Sequence, residues 1–108
     1  MATFMLQLSY APATVAAMVK KPTNRTEVIK SLVGKFGAKL VGSWMSFGDY
    51  DAVLIIEGAD AVGVASCAMA VTASGAFTRF KTTPLLTTDE ALSAMKQAAT
   101  LGYAPPGK

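Results

Sequence analysis

The chain has 108 residues, of which 52% are hydrophobic and 16% are charged, and its formal net charge is +3. This length predicts a single domain over residues 1–108. Typical soluble domains have about 25% charged residues, so the low charged fraction predicts that another subunit covers part of the apolar surface. Because the chain has one cysteine and no histidine, an intrachain disulfide, the usual zinc sites and histidine-ligated haem are all excluded. No metal and no cofactor is predicted.

The positive charge is concentrated in the first forty residues, where Glu27 is the only acid. The basic residues there are Lys20, Lys21, Arg25, Lys30, Lys35 and Lys39. Nucleic-acid-binding proteins carry such patches together with aromatic stacking platforms or a recognisable helix motif, and neither is interleaved here. We therefore interpret these residues as solvated helix faces and predict no nucleic-acid binding.

The chain starts without the positive region and long apolar segment of a signal peptide, which favours a first strand and a cytoplasmic location. In this strand Phe4, Leu6 and Leu8 occupy one row and Met5 adds an apolar residue to the other. Apolar residues in both rows predict that both faces of the strand are covered.

Two helices are predicted next. Pro12 suits the first turn of a short helix, which Pro22 brings to an end. The main helix follows, with Asn24 as its N-cap and Glu27 three residues later in a capping-box arrangement. Its apolar stripe stops at Gly37, a residue type that ends helices.

Two strands over residues 39–47 and 52–57 are then joined by a tight turn. Gly48 accepts a positive φ, and Asp49 can bond its own backbone, so both suit a reversal of the chain. The turn fixes the register of the strands beside it.

The rest of the sequence predicts a helix, a strand and a last helix. Asp60 is predicted to cap a helix over residues 61–73, a strand follows over 76–83, Pro84 marks its edge or end, and a last helix covers 88–101. The order is βαββαβ with a C-terminal helix, an α+β ferredoxin-like arrangement whose two crossovers place both helices on one sheet face. The other face would be open and apolar, which predicts a homodimer with two sheets face to face around a barrel-like interior.

The turn carries a family resemblance. Residues 47–51, FGDYD, followed by the strand 53–57, resemble the signature of the GYD domain family. Gly42 and Trp44 before the turn and Gly75 after it follow the order expected for that family. The resemblance implies a ferredoxin-like α+β fold of the dimeric α/β-barrel type, and it brings no established activity.

The chain departs from this family in its second helix region, which is usually rich in polar or acidic residues. Residues 61–78 contain no charged residue. The stretch approaches membrane-spanning length, but its many small and polar residues favour a buried helix and no membrane segment. Cys67 lies in it and is predicted to be a buried, unreactive thiol.

No catalytic constellation is present, because histidine and a glycine-rich phosphate loop are absent and the acids are scattered. Catalytic residues are therefore not assigned. Strand parity predicts that a group of polar and aromatic side chains projects into the interior of a dimeric barrel. They are Gln7, Tyr10, Trp44, Tyr50, Asp51, Arg79 and Lys81.

Four of these residues are predicted to bind a ligand. Tyr50 and Asp51 place a phenol and a carboxylate at a cavity mouth; alternatively, the carboxylate accepts backbone N–H groups and the ring simply packs. Trp44 would stack on a flat ligand, or be core or interface. Arg79, with Lys81, is predicted to share a strand face with Phe77 and hold an anion, or else to mark a solvated edge.

Two functions remain open. The first is a homo-oligomeric, non-catalytic assembly or small-ligand-binding module. The second is a cofactor-independent monooxygenase or isomerase acting on a small apolar or aromatic compound, which rests on analogy between dimeric α/β-barrels alone.

Overall fold

The computed structural model describes residues 2–107 and contains one antiparallel sheet with helices packed on it. The elements in chain order are β1 (Thr3–Tyr10), α1 (Pro12–Lys20), α2 (Thr26–Gly34), β2 (Lys39–Met45), β3 (Ala52–Glu57), α3 (Ala61–Ala73), β4 (Phe77–Leu85) and α4 (Thr88–Ala98). The strand order in the sheet is β2-β3-β1-β4, so the two central strands are β3 and β1. The predicted α+β ferredoxin-like arrangement with a C-terminal helix is confirmed.

The core lies between one face of the sheet and the helices α2 and α3. Leu6 of β1 pairs with Leu54 of β3, which places these residues and Ile56 on the same face. Val33 of α2 and Val64 of α3 complete the buried cluster. Leu6 and Ile56 have no solvent exposure, because alternate residues of a strand point to one face and meet the apolar stripes of the helices.

The opposite face of the sheet, which we call the open face, carries the other row of each strand. Two rows of paired residues cross it. They are Trp44, Val53, Gln7 and Lys81 in one row and Gly42, Ile55, Met5 and Thr83 in the other. The helices α2 and α3 pack on the other side, and α4 buries no residue. The open face is therefore apolar in its centre and is not covered by a helix of the same chain.

A β-bulge changes the face of one predicted residue. The register between β1 and β4 shifts at Ser9 and Tyr10, so that Ser9 pairs with Arg79 whereas Tyr10 pairs with Phe77. An extra residue in one strand moves the following side chains to the other face. The prediction that Phe77 shares a face with Arg79 is therefore wrong, and the Phe77 ring instead packs at 5.2 Å from that of Tyr10 on the helix side.

The helix starts agree with the sequence in one case and differ in another. Asp60 caps α3 as predicted, and its Oδ1 accepts a hydrogen bond of 2.7 Å from the N–H of Gly63. In α2 the N-cap is Arg25, one residue later than predicted, and no side chain caps it. Asn24 accepts from the Thr26 N–H at 2.9 Å, which is an Asx turn before the helix and not a capping box.

Two strand ends also differ from the sequence prediction. β2 ends at Met45, and residues 46–51 form the turn. β4 continues to Leu85 through Pro84, which pairs with Phe4 of β1. A proline is tolerated there because β4 is an edge strand, where one side of the backbone needs no ladder partner.

After β4 the chain continues in a segment, residues 86–103, that we call the C-terminal arm. Thr87 and Glu90 form a reciprocal capping box at the start of α4, and the backbone hydrogen bond at Thr87 lowers the pKa of the Glu90 carboxyl. Leu92, Met95 and other apolar side chains of the arm are exposed. The described residues have a radius of gyration of 17.4 Å, whereas a compact domain of this length has about 13 Å, and we assign this elongation to the arm. None of the helices within residues 2–107 is long and apolar enough to cross a membrane.

Candidate functional site

The turn between β2 and β3 is fastened to the end of β1. The Asp51 N–H donates to the Leu8 carbonyl at 2.8 Å, and the Asp51 Oδ2 accepts the Tyr10 N–H at 2.9 Å. From the other side, the Ser9 hydroxyl donates to the Asp49 carbonyl at 2.8 Å. Because these bonds join residues about forty positions apart, the turn is held by tertiary contacts and not by its own backbone alone.

Tyr50 and Arg79 form a second contact at this end of the sheet. The Arg79 guanidinium carbon lies 4.7 Å from the centre of the Tyr50 ring, which is a cation–π arrangement. The same guanidinium donates a hydrogen bond to the Asp49 carbonyl. Arg79 therefore connects the edge strand β4 to the turn.

Trp44 lies on the open face against Gly42, its neighbour two residues away in β2. A Cβ atom added to Gly42 would overlap the indole ring, so a side chain at this position would displace the ring. About half of the Trp44 side chain, 56%, is exposed. A large aromatic surface is thus available on the open face for a partner or ligand.

A set of adjoining cavities lies on the helix side of the sheet, and we call it the Tyr10 cleft because Tyr10 lines all of them. The outer cavity, of about 600 Å³, lies between α1 and the turn and is lined by Met18, Met45 and Asp51 among others. The middle cavity, of about 290 Å³, includes Arg25. The inner cavity, of about 120 Å³, lies among core residues under α2 and α3.

The sequence of the chain matches a known protein family. The family model described as GYD domain matches residues 4–95, which is most of the chain. The chain belongs to the GYD domain family. The family was expected from the FGDYD segment, and the match confirms that resemblance.

The fold of this GYD domain has a counterpart among solved structures. The crystal structure of FFRP-DM1 has a TM-score of 0.52 and 13% sequence identity to the chain, and it covers 80% of this chain and 100% of its own. At this identity the likeness shows the shared fold. No curated protein matches the chain.

The predicted group of interior residues is divided between the two sides of the GYD domain sheet. Trp44, Tyr50 and Arg79 lie on or beside the open face, together with Gln7 and Lys81. Tyr10 is on the helix side, contrary to the sequence prediction, because it belongs to the even-numbered row of β1 with Leu6 and Leu8. Asp51 lines the outer cavity of the Tyr10 cleft, because the bend of the turn directs its carboxylate to the Tyr10 N–H. The ligand-binding role of Trp44, Tyr50, Asp51 and Arg79 stays a prediction.

Most of the residues that line the Tyr10 cleft, Arg25 and Met18 among them, were not among the predicted site residues. Arg25 lies in the connection between α1 and α2, and Met18 lies on α1. The available signal was the basic run around Pro22, which separates two helices and leaves a charged connection between them. From the sequence alone, this run predicts only a solvated surface.

Cys67 is a buried residue of α3, as predicted. Burial raises the pKa of its thiol, which keeps the sulfur protonated and weakly nucleophilic at neutral pH. No group of three histidine, cysteine, aspartate or glutamate residues lies together within residues 2–107.

Proposed function

We propose that this GYD domain is a homo-oligomeric, non-catalytic assembly module whose subunits associate through the open face of the sheet. The observation that carries the proposal is the apolar centre of that face, formed by Met5, Val53, Ile55 and Trp44 with no helix packed on it. Burying such a surface against a second copy removes it from water, which is the main favourable term in association.

The charges around the open face also allow self-association. Arg79 and Lys81 lie on the β4 side of the face, while Glu57 lies on β3. A face that carries both signs of charge can pair with itself without opposing rows of like charge. The carboxylate of one subunit can then lie near a basic side chain of the other.

Replacing Ile55 by aspartate is expected to dissociate the oligomer. The substitution places a charge in the centre of the open face, and burying an unpaired carboxylate is strongly unfavourable. Light scattering or sedimentation at micromolar concentration would show the assembly of the unmodified protein and a monomer for Ile55→Asp. Val62→Asp is the matched control, because Val62 is an exposed residue on α3, away from this face. A monomeric unmodified protein at this concentration would contradict the proposal.

The C-terminal arm is expected to contribute to the same assembly. Its apolar side chains are exposed in one subunit, so Leu92→Ser combined with Met95→Ser should weaken association by at least tenfold. The stability of the isolated subunit should not change, because α4 buries no residue of its own chain. Gln97→Ser, on another side of α4, is the control. Loss of subunit stability without loss of assembly would show that the arm packs on its own subunit.

Ligand binding by Trp44, Tyr50 and Arg79 follows from the same proposal. These side chains border the open face, and two such faces would enclose a space with aromatic and cationic groups at its ends. A small apolar or aromatic molecule suits that combination. A cytoplasmic location stays a prediction from the first residues of the sequence.

The alternative function, an enzyme, would need Asp51 or Tyr50 as a catalytic base, and the contacts of these two residues do not favour that role. A general base needs a free carboxylate or phenolate, whereas one Asp51 oxygen accepts the Tyr10 N–H and the Tyr50 ring carries the Arg79 guanidinium. Both contacts match the structural alternatives given by the sequence: a carboxylate that accepts a backbone N–H group and a tyrosine ring that packs on a neighbour. For this reason we propose assembly and binding before catalysis.

A further inference from the structure

The Tyr10 cleft has apolar walls and a basic centre. The outer cavity is bordered by Val15, Met18 and Met45, and the inner cavity by buried core residues such as Leu8. Arg25 lines both the middle and the inner cavities. The cleft therefore combines an apolar surface with one cation at its border.

The groups around Arg25 are hydrogen-bond donors. Thr23 and Asn24 line the middle cavity beside it, and they supply a hydroxyl and a side-chain amide. Within residues 2–107 the ion pair found is Glu27 with Lys30, at 4.0 Å, so no acid in this part of the chain neutralises Arg25. The acid that lines the outer cavity, Asp51, is engaged with the Tyr10 N–H.

We propose that the Tyr10 cleft binds a small carboxylic acid with an apolar body, such as an aliphatic acid. The carboxylate would lie at Arg25, whose planar guanidinium matches a carboxylate in a two-bond arrangement. The apolar body would extend along Tyr10 toward the sheet. This site is on the helix side of the sheet and does not depend on the assembly through the open face.

The size of the cleft favours a small molecule over a protein segment. The outer and middle cavities have volumes in or near the range of small-molecule sites, about 300–1000 Å³. The inner cavity, of about 120 Å³, lies between α2, α3 and the sheet. A helix of another subunit could enter it only by separating α2 from the sheet, whereas an alkyl chain is narrow enough to fit.

Titration calorimetry with octanoate, decanoate and 1-octanol tests this proposal on the full chain. Decanoate should bind about tenfold more tightly than octanoate, because each buried methylene adds a similar favourable increment. 1-Octanol has the same tail as octanoate without a charge, and it should bind at least tenfold more weakly than octanoate.

Arg25→Gln should weaken decanoate binding at least tenfold. The substitution removes the positive charge and one of the two hydrogen bonds that the guanidinium would donate to the carboxylate. Lys35→Gln is the control, since Lys35 is an exposed cation at the end of α2 that does not line the Tyr10 cleft, and its loss should leave the affinity unchanged. Arg25 is exposed, so the folded state of Arg25→Gln can be verified by circular dichroism and thermal unfolding.

Three results would overturn the proposal. They are no binding of decanoate, equal affinities for octanoate and 1-octanol, and an Arg25→Gln variant that binds like the unmodified protein. If decanoate does not bind, a second copy of the chain or a peptide would be the remaining occupant for the outer cavity. The monomeric Ile55→Asp variant should still bind decanoate, so a failure of the assembly proposal can be told from a failure of this one.

Discussion

Ile56→Ala is expected to lower the free energy of unfolding by about 2–5 kcal/mol, the range for truncating a fully buried aliphatic side chain. Ile56 has no solvent exposure and lies on a central strand. Few side chains share this degree of burial; the large ones are Leu6, Ile56 and Val33. A cavity at this position removes contacts from both helices and from the sheet, and the small core offers little to fill it.

Urea unfolding at a fixed protein concentration measures this loss, because association also stabilises the folded subunit. Val41→Ala is the control, since Val41 of β2 is 54% exposed and its truncation should cost less than about 1 kcal/mol. Equal losses for the two variants would show that the sheet face carrying Ile56 is not the core. Such a result would contradict the register on which the open face is defined.

The faces of the central strands could be predicted from the sequence because their pattern is local. The alternation of Leu6 and Leu8 with polar residues places them on one face, and the apolar run 52–56 identifies the central strand β3. Asp60 followed by small residues likewise predicts a capped helix from residues a few positions apart. These signals depend on neighbours in the chain, and the structure confirms them.

The bulge at the end of β1 could not be predicted in the same way. It brings the Tyr10 ring against Phe77, two residues that are far apart in sequence. Strand parity assumes an uninterrupted ladder, so it placed Phe77 with Arg79, and the irregularity in pairing changed that assignment. Tyr10 was grouped with Gln7 against the parity of β1, whose even-numbered row it shares with Leu6 and Leu8.

Only part of the candidate site could be predicted, because local sequence patterns do not report contacts between distant residues. The FGDYD segment identified the turn, but the partners of its side chains lie in β1 and β4, about 30 to 40 positions away. The importance of Arg25 depends on cavities formed by several separate elements, which no local pattern reports. The sequence thus indicated where the special residues lie and left their contacts open.

Asp51→Ala is expected to destabilise the fold by about 1–3 kcal/mol, the cost of leaving a buried or partly buried donor without a partner. The Tyr10 N–H lies next to the bulge, where the regular ladder of β1 and β4 is interrupted, and the Asp51 carboxylate accepts it. Removing this acceptor also takes away one of the three hydrogen bonds that fasten the turn to the end of β1.

Three measurements distinguish this structural role from a chemical one. Urea unfolding should show the loss for Asp51→Ala and a change within about 0.5 kcal/mol for Asp49→Ala, because Asp49 contacts Ser9 and Arg79 through its backbone carbonyl. Amide exchange at Tyr10 should accelerate in Asp51→Ala alone. Asp51→Asn keeps a carbonyl oxygen and should recover most of the stability, so any binding or turnover that it still lacks would come from the missing charge. If Asp51→Ala costs no more than Asp49→Ala, the carboxylate does not hold the turn.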